Sequence, residues 1–426
     1  MSSTSDHDEF SFKIAKEKEK NGTVALDPYF YKSSLVYQKE IEHILFRSWI
    51  YAAHISEIPN KGDYVLFKMG VDSIIVVRDR EGEIRAHANT CRHRGARLCD
   101  QDKGRVSTLV CPYHAWTYNL DGTLRSARFM EAYKGFDKAD YSLKSVRVTV
   151  YMGLIFINCD PEAEDFSAPL AAIKEPLGAY DLENAKIARK TTYKIDANWK
   201  FCLENYLECY HCGPAHKDYA KMHTLQDTYE NVAGEVEAML ERAPAKTGVA
   251  GISSEYQKIY ATAEGFGACV YHSRYGLYEG YLTGSEDGKP VAPLMGAFQG
   301  YDGGVGDFQM GPVSFMLNYP DHCVLYRFIP RAIDETDAEV VWFVKGDAEE
   351  GKDYDADRVT WLWHHTTLED KYIITQNKEG ALSHFFQPGP IQPEFEETLS
   401  LFLVWYVDAL QGHHSTAQHD GLAHAS

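Results

Sequence analysis

Two groups of residues have types and spacing suited to metal chemistry. Cys91-Arg92-His93 and Cys111-Pro112-Tyr113-His114 each offer one thiolate and one imidazole from turn-like surroundings. Two cysteines on one iron and two histidines on the other complete the ligand set of a [2Fe–2S] cluster. Imidazoles in place of thiolates lower its negative charge and raise the reduction potential into a range of about −150 to +300 mV. The same residue types hold tetrahedral zinc, but zinc fingers pair cysteine with cysteine and histidine with histidine on a ββα unit, whereas each loop here mixes the types among strands. Gly95, Pro112 and Gly122 suit loops that bring backbone amides near cluster sulfurs. Tyr113 and Trp116 suit a shield over the cluster, with core filling as the alternative for Trp116.

The second group is the run Asn198-Trp-Lys-Phe-Cys-Leu-Glu204-Asn205-Tyr-Leu-Glu208-Cys-Tyr-His211-Cys-Gly-Pro-Ala-His216. It reads as a helix ending at Gly213-Pro214, with Glu208 and His211 on one face and His216 folding back beside His211. Two histidines near a helix end are more often structural than ligating. A cluster that delivers single electrons needs a redox partner, however, and two imidazoles with a carboxylate on one face of Fe(II) leave positions open for O2. Cys209 and Cys212 form a Cys-x-x-Cys that could be a redox pair or hold zinc; on a ligand-bearing helix they are expected to be free packing thiols.

The wording Cys91-Arg-His-Arg-Gly with Cys111-Pro-Tyr-His-Ala-Trp-Thr-Tyr resembles ring-hydroxylating oxygenase alpha subunits, which carry a Rieske cluster and a mononuclear iron. Asn198, Glu204, Glu208, His211 and His216 match the same family in the second group. The resemblance implies Cys91, His93, Cys111 and His114 as cluster ligands and His211 and His216 as iron ligands. The family's third ligand lies downstream in a Glu-Asp pair followed by Gln and Gly, which Glu369-Asp370 with Gln376 and Gly380 matches. Asp370 is thereby assigned, with Glu369 as its main rival and His364 and His365 behind. The acid at Glu208 would bridge a cluster histidine of one subunit to an iron histidine of the next around a homotrimer. It is usually Asp; Glu here makes the run most similar to the quaternary-amine branch of carnitine and glycine betaine monooxygenases and stachydrine demethylase.

That branch implies a terminal oxygenase fed from NAD(P)H through a separate reductase carrying flavin and iron–sulfur groups. With O2 it would hydroxylate a C–H bond; on an N-methyl group the product would be a carbinolamine that collapses to an amine and formaldehyde. The alternatives are an aromatic-ring hydroxylase or dioxygenase, and a Rieske electron carrier or redox sensor with no second metal. Cation–π attraction can hold a quaternary ammonium, and the chain has 28 Tyr and 7 Trp; Tyr271, Tyr278, Phe308 and Phe315 are candidate pocket aromatics. The long, Gly-rich segment Met222 to Pro312 is expected to reshape the pocket.

These residues require two kinds of scaffold. Residues 47–160 show short strands such as Tyr64-Val-Leu-Phe-Lys and Gly153-Leu-Ile-Phe-Ile-Asn, which predict an all-β Rieske domain. An N-terminal arm, 1–46, ends in an amphipathic helix through Ile41, Ile44 and Leu45 and packs on the larger body. Residues 161–411 mix strands with helices near 199–212 and 355–383, predicting a helix-grip catalytic domain and an α+β chain overall. A disordered tail, 412–426, follows. With 43 Lys plus Arg against 62 Asp plus Glu, a net charge of −19 disfavours nucleic acid. Polar Met1 to Glu9 and the lack of a long apolar stretch predict a cytoplasmic protein without a membrane span. The nine cysteines argue for thiols and metal ligands over a disulfide scaffold. Arg92, Arg94 and Arg97 are a candidate docking face for an acidic partner, with solvated surface as the alternative.

Overall fold

The computed structural model describes residues 4–247, 259–262 and 269–412; the tail expected beyond them lies outside this range. Alternating β-branched and aromatic runs form two seven-stranded sheets and one small three-stranded sheet among the described residues. The first sheet runs Ile50–His54, Leu154–Asn158, Ser145–Tyr151, Ile84–Ala88, Asp72–Arg78, Asp63–Met69, Lys103–Arg105, antiparallel throughout. The small sheet, Leu109–Val110, Thr117–Tyr118 and Leu124–Ser126, carries the second cysteine loop.

The second sheet runs Lys186–Ile195, Glu335–Val344, Cys323–Ala332, Ser314–Asn318, Gly304–Met310, Cys269–Gly276, Ile259–Thr262, again antiparallel. Its central strands, from Glu335–Val344 to Cys269–Gly276, are buried along nearly their whole length, Val324, Val340 and Trp342 at 0% exposure, because helices cover the face that solvent would otherwise meet. The longest cover is helix Ala356–Ala381, which lies against strand Lys186–Ile195 and helix Trp199–Tyr206. Asp355 caps it by accepting from the Asp357 and Arg358 N–H groups. The chain is α+β, an all-β unit joined to a sheet gripping a long helix.

The N-terminal arm is more broken than its periodicity predicts. Helix Ser34–Lys39 widens into a turn of i→i+5 geometry over Glu40–Ile44 and tightens again at Leu45–Arg47. The cause is Glu40, which the wide turn swings inward. Its carboxylate, 0% exposed, accepts from Lys200 Nζ at 2.6 Å, Trp199 Nε1 at 2.9 Å and Tyr406 Oη at 2.5 Å. Arm, catalytic helix and C-terminal helix Glu397–Ala409 thus share one buried ion pair. Removing a single partner would strand the other charge, at a cost of about 3–5 kcal/mol. Tyr31 adds a second link, donating to Glu204 at 2.8 Å.

The helix expected to run to Gly213-Pro214 stops at Tyr206, and Gly213 and Pro214 lie inside a separate turn, Cys212–Ala215. Glu208 explains the break: its Oε2 accepts from the Tyr210 and His211 N–H groups at 2.5 and 3.2 Å, starting a new turn in competition with the helical pattern. The expectation of free thiols at Cys209 and Cys212 is also overturned. The two are joined as a disulfide, since the new turn brings Cys212 N–H onto the Cys209 carbonyl at 3.1 Å and the two cysteines face each other.

Candidate metal centres

The two cysteine loops are built alike. In each, the cysteine N–H donates to a carbonyl further along the loop, Cys91 to Ala96 at 2.9 Å and Cys111 to Trp116 at 2.8 Å. Each cysteine carbonyl accepts from the residue before that one, Gly95 at 2.9 Å and Ala115 at 3.0 Å. Both of these donors are left-handed, with φ 80° and 57°; glycine relieves that strain in the first loop and alanine carries it in the second. Gly122 serves elsewhere, turning against His87, whose ring a Cβ would meet at 2.7 Å.

The matched loops bring all four predicted residues to one place. His93 and His114 set their Nδ1 atoms 3.1 Å apart, so at least one is a bare acceptor and both lone-pair directions converge. Cys91 and Cys111 are buried beneath them. Burial, with the neighbouring Cys111 sulfur, holds the Cys91 thiol above its ordinary pKa against the pull of Tyr118. A cationic iron pair would relieve both penalties, so the donor set fits a cluster. Trp116 fills both roles considered for it, buried in the core and stacked on His93 with centroids 4.9 Å apart. Tyr113 stacks on His114 at 3.8 Å and leaves one face exposed, with Arg94 over its ring. Tyr118 was not foreseen: its hydroxyl accepts from Arg92 N–H at 3.0 Å and lies 3.3 Å from Cys91 Sγ, to which it donates once that sulfur is a thiolate. Its place at the end of the Cys111 motif was the available signal.

At the second centre His211, His216 and Asp370 each offer a ligand atom, and these atoms all lie within 4.8 Å of one another. Asp370 Oδ1 stands 3.0 Å from His216 Nε2 and 3.5 Å from His211 Nε2. Neither His216 Nε2 nor Asp370 Oδ1 has a hydrogen-bond partner, although both are buried. Two such atoms facing each other suit a shared cation. Each imidazole is oriented through its other nitrogen, His211 Nδ1 by Glu208 Oε1 at 2.5 Å and His216 Nδ1 by Glu369 Oε2 at 2.9 Å. Glu369 therefore faces the far side of His216 from Asp370. Successive residues on a helix point about 100° apart, which lets the pair take both nitrogens of one ring. His364 bonds Tyr193, and His365 bonds the Trp361 carbonyl, so neither reaches the centre. Burial alone would depress the His211 pKa, but the Asp370 and Glu208 carboxylates lift it to about 9. The same carboxylates that favour a positive imidazole suit a metal cation held between the two rings.

Residues 182–412 match the ring hydroxylating alpha subunit (catalytic domain) family, and residues 48–145 match the Rieske [2Fe-2S] domain family. The chain belongs to the Rieske-type ring-hydroxylating oxygenase alpha subunits. A glycine betaine monooxygenase oxygenase subunit of Pseudomonas aeruginosa (strain UCBPP-PA14) is 34% identical over 397 residues, 92% of this chain and 90% of that protein. The carnitine monooxygenase oxygenase subunit of Escherichia coli (strain K12) is 40% identical over 197 residues, 45% of this chain and 52% of that protein. Among solved structures, a quaternary ammonium Rieske monooxygenase superposes with a TM-score of 0.71 at 23% identity, covering 93% of this chain and 97% of that one. Naphthalene 1,2-dioxygenase from Rhodococcus sp. shares the fold at a TM-score of 0.67 and 21% identity, covering 97% of this chain and 100% of that one. The oxygenase accordingly uses a Rieske [2Fe–2S] cluster and non-haem iron, with O2 and electrons from a reductase.

A cavity of about 690 Å³ opens beside His211, His216 and Asp370, walled by Tyr206, Tyr219, Tyr271, Phe315, Tyr326 and Trp363. Of the four aromatics singled out by sequence, Tyr271 and Phe315 are there. Phe308 is instead sealed in the core against His272, and Tyr278 holds Gln226. The segment Met222 to Pro312 supplies Leu225, Asp227, Tyr229 and Gln309 to the wall; part of it lies outside the described residues. No described helix is long and apolar enough to cross a membrane.

Proposed function

We propose that the chain is the terminal oxygenase of a system that oxidises a quaternary ammonium compound, a betaine or carnitine-like molecule, with N-demethylation or C–N cleavage. The observation that carries this is the wall of the iron cavity: eight aromatic side chains of Phe, Tyr and Trp, and no lysine or arginine among the described residues that line it. Aromatic faces attract a cation by about 2 kcal/mol or more once water is excluded. The names of the relatives support the same reading.

In this reading Cys91, His93, Cys111 and His114 would hold the cluster, and His211, His216 and Asp370 would hold Fe(II). The bound metals supply electrons and the activation of O2. Tyr206, Trp363 and their neighbours would hold the trimethylammonium group and displace water from the faces it covers. Glu208 and Glu369 fix both imidazoles. Substrate, O2, two electrons and two protons give N-hydroxymethyl product and water; this carbinolamine collapses to the tertiary amine, formaldehyde and a proton.

Copies would assemble head to tail as a homotrimer, the exposed edge around His93, His114, Arg94 and Arg97 meeting the acidic surface of Glu208, Glu394 and Glu397. Opposite charge on the two surfaces favours that pairing. The division into arm 1–46, Rieske domain 47–160 and catalytic domain 161–411 follows the two large sheets, and the setting proposed is cytoplasmic. The test is a panel of carnitine, glycine betaine, proline betaine and aromatic acids with a surrogate reductase, reading formaldehyde against NADH consumed. Near-equal formaldehyde and NADH with one betaine is expected. Oxidation of an aromatic acid without formaldehyde from any betaine overturns the reading.

A further inference from the structure

The Cys209–Cys212 disulfide has no role in the scheme above, yet it sits inside it. Both cysteines line the iron cavity, and Cys209 and Cys212 keep 8% and 6% exposure. Cys212 Sγ lies 4.0 Å from His211 Nε2, and Cys209 Sγ lies 3.9 Å from Tyr219 Oη. No other described cysteine lines this cavity. Cys202 and Cys269 are 0% and 2% exposed, and burial pushes both thiols up to about 12, where they stay protonated and inert. In a reducing compartment, the setting proposed for this chain, a protein disulfide is usually transient and catalytic or redox-sensing.

We propose that Cys209 and Cys212 cycle between dithiol and disulfide within the iron cavity, the dithiol consuming hydrogen peroxide that escapes when O2 is reduced without a substrate being oxidised. The sulfur of Cys212 attacks one peroxide oxygen; the O–O bond breaks, hydroxide departs and takes up the thiol proton as water, leaving a sulfenic acid. The Cys209 sulfur then displaces the sulfenic hydroxyl, which leaves with the second thiol proton as water while the S–S bond closes. Two thiols and one peroxide become one disulfide and two waters, and the two electrons come from sulfur. A small-molecule thiol entering through the cavity mouth restores the dithiol by exchange. The structure shows the oxidised half of the cycle with His211, His216 and Asp370 still convergent, so closing the pair does not dismantle the iron centre.

The inference rests on oxygen activation in this cavity, and its test is independent of which substrate is used. The holoenzyme is reduced with dithiothreitol, desalted without oxygen and given hydrogen peroxide stepwise, and alkylation with mass spectrometry reads each cysteine. Cys209 and Cys212 are expected to be alkylated after reduction and protected again by about one equivalent of peroxide, with Cys202 and Cys269 unchanged. A second sample receives reductase, NADH and O2 without substrate and should close the same pair. The double variant C209S/C212S should lose its mononuclear iron at lower peroxide than the parent. A disulfide that resists dithiothreitol in the native protein overturns the proposal, as does a dithiol that outlasts the iron under peroxide. Closure by added peroxide but not by substrate-free turnover also overturns it, while leaving the oxygenase reading intact.

Discussion

The two metal-binding regions solve the same problem at opposite ranges. At the first, four candidate donors come from two short loops of one unit, and each loop fixes its cysteine with the same pair of backbone hydrogen bonds. Around the iron, the donors come from a broken turn after helix Trp199–Tyr206 and from the middle of helix Ala356–Ala381, held together by the second sheet and its core. The imidazoles of the first are exposed, whereas those of the second are largely buried and oriented by carboxylates. An electron-delivery site must be reached from outside the subunit. A site that activates O2 must be dry and permit little movement.

The broadest break in that comparison is Asp370→Ala, which should empty the iron site and leave the cluster intact. Iron would fall from about three to about two atoms per chain, with the [2Fe–2S] spectrum unchanged and product formation at background. Cys111→Ser should do the reverse at the first site, removing the cluster spectrum while His211, His216 and Asp370 still bind a divalent metal. Loss of both centres from either variant would show that the two regions fold as one and not as separable sites.

Glu208→Gln tests the link between them. The amide keeps the shape but loses the carboxylate that His211 Nδ1 faces at 2.5 Å. Both metals should remain bound while product formation drops about 10–100-fold. Because Glu208 Oε2 also starts the turn that carries His211, Glu208→Ala should add a loss of iron affinity that Glu208→Gln does not show. Equal iron content in the two variants would mean that the turn holds without the acid.

How much of each region could be read in advance follows from the same contrast. The convergence of Cys91, His93, Cys111 and His114 was legible because its geometry is local: a cysteine, a histidine and a permissive residue within one loop. The strands were legible from alternation, and the helix that carries Asp370 from its length. The course of the chain after Tyr206 was not. Leu203 to Cys212 satisfies helical periodicity, and only a side chain competing for backbone N–H groups, Glu208, ends the helix early. The Cys209–Cys212 disulfide followed from that break and was misread with it. Spacing leaves Glu369 as a rival to Asp370, and only the structure turns it to the opposite nitrogen of His216. Periodicity describes faces, not which of two neighbouring carboxylates reaches a ring.

Glu369→Gln sharpens that last distinction. As an orienting partner and not a ligand, it should weaken Fe(II) affinity about tenfold and leave the coordinating set unchanged. Titration of the apoprotein with Co(II), read by its visible spectrum, separates the outcomes. A shifted midpoint with the same final spectrum is expected, whereas a different spectrum would make Glu369 a ligand.

The smallest effect belongs to the cluster, where the neighbours act on a potential and not on occupancy. Tyr118 is 0% exposed and its hydroxyl lies 3.3 Å from Cys91 Sγ, to which it donates once that sulfur is a thiolate. A donor to a cluster sulfur stabilises the more negative, reduced form, so Tyr118→Phe should lower the reduction potential. A fall on the order of 59 mV corresponds to a tenfold change in the one-electron equilibrium. Potentiometric titration followed by the reduced-cluster EPR signal would measure it with the iron site untouched. Because Arg92 N–H also loses its acceptor, the loop conformation needs its own check, which the unshifted spectrum of the oxidised cluster supplies. A lower potential with that spectrum preserved would show that one region is tuned by hydrogen bonds to sulfur while the other is built by carboxylates on imidazole. An unchanged potential would place the tuning in the exposed histidines instead.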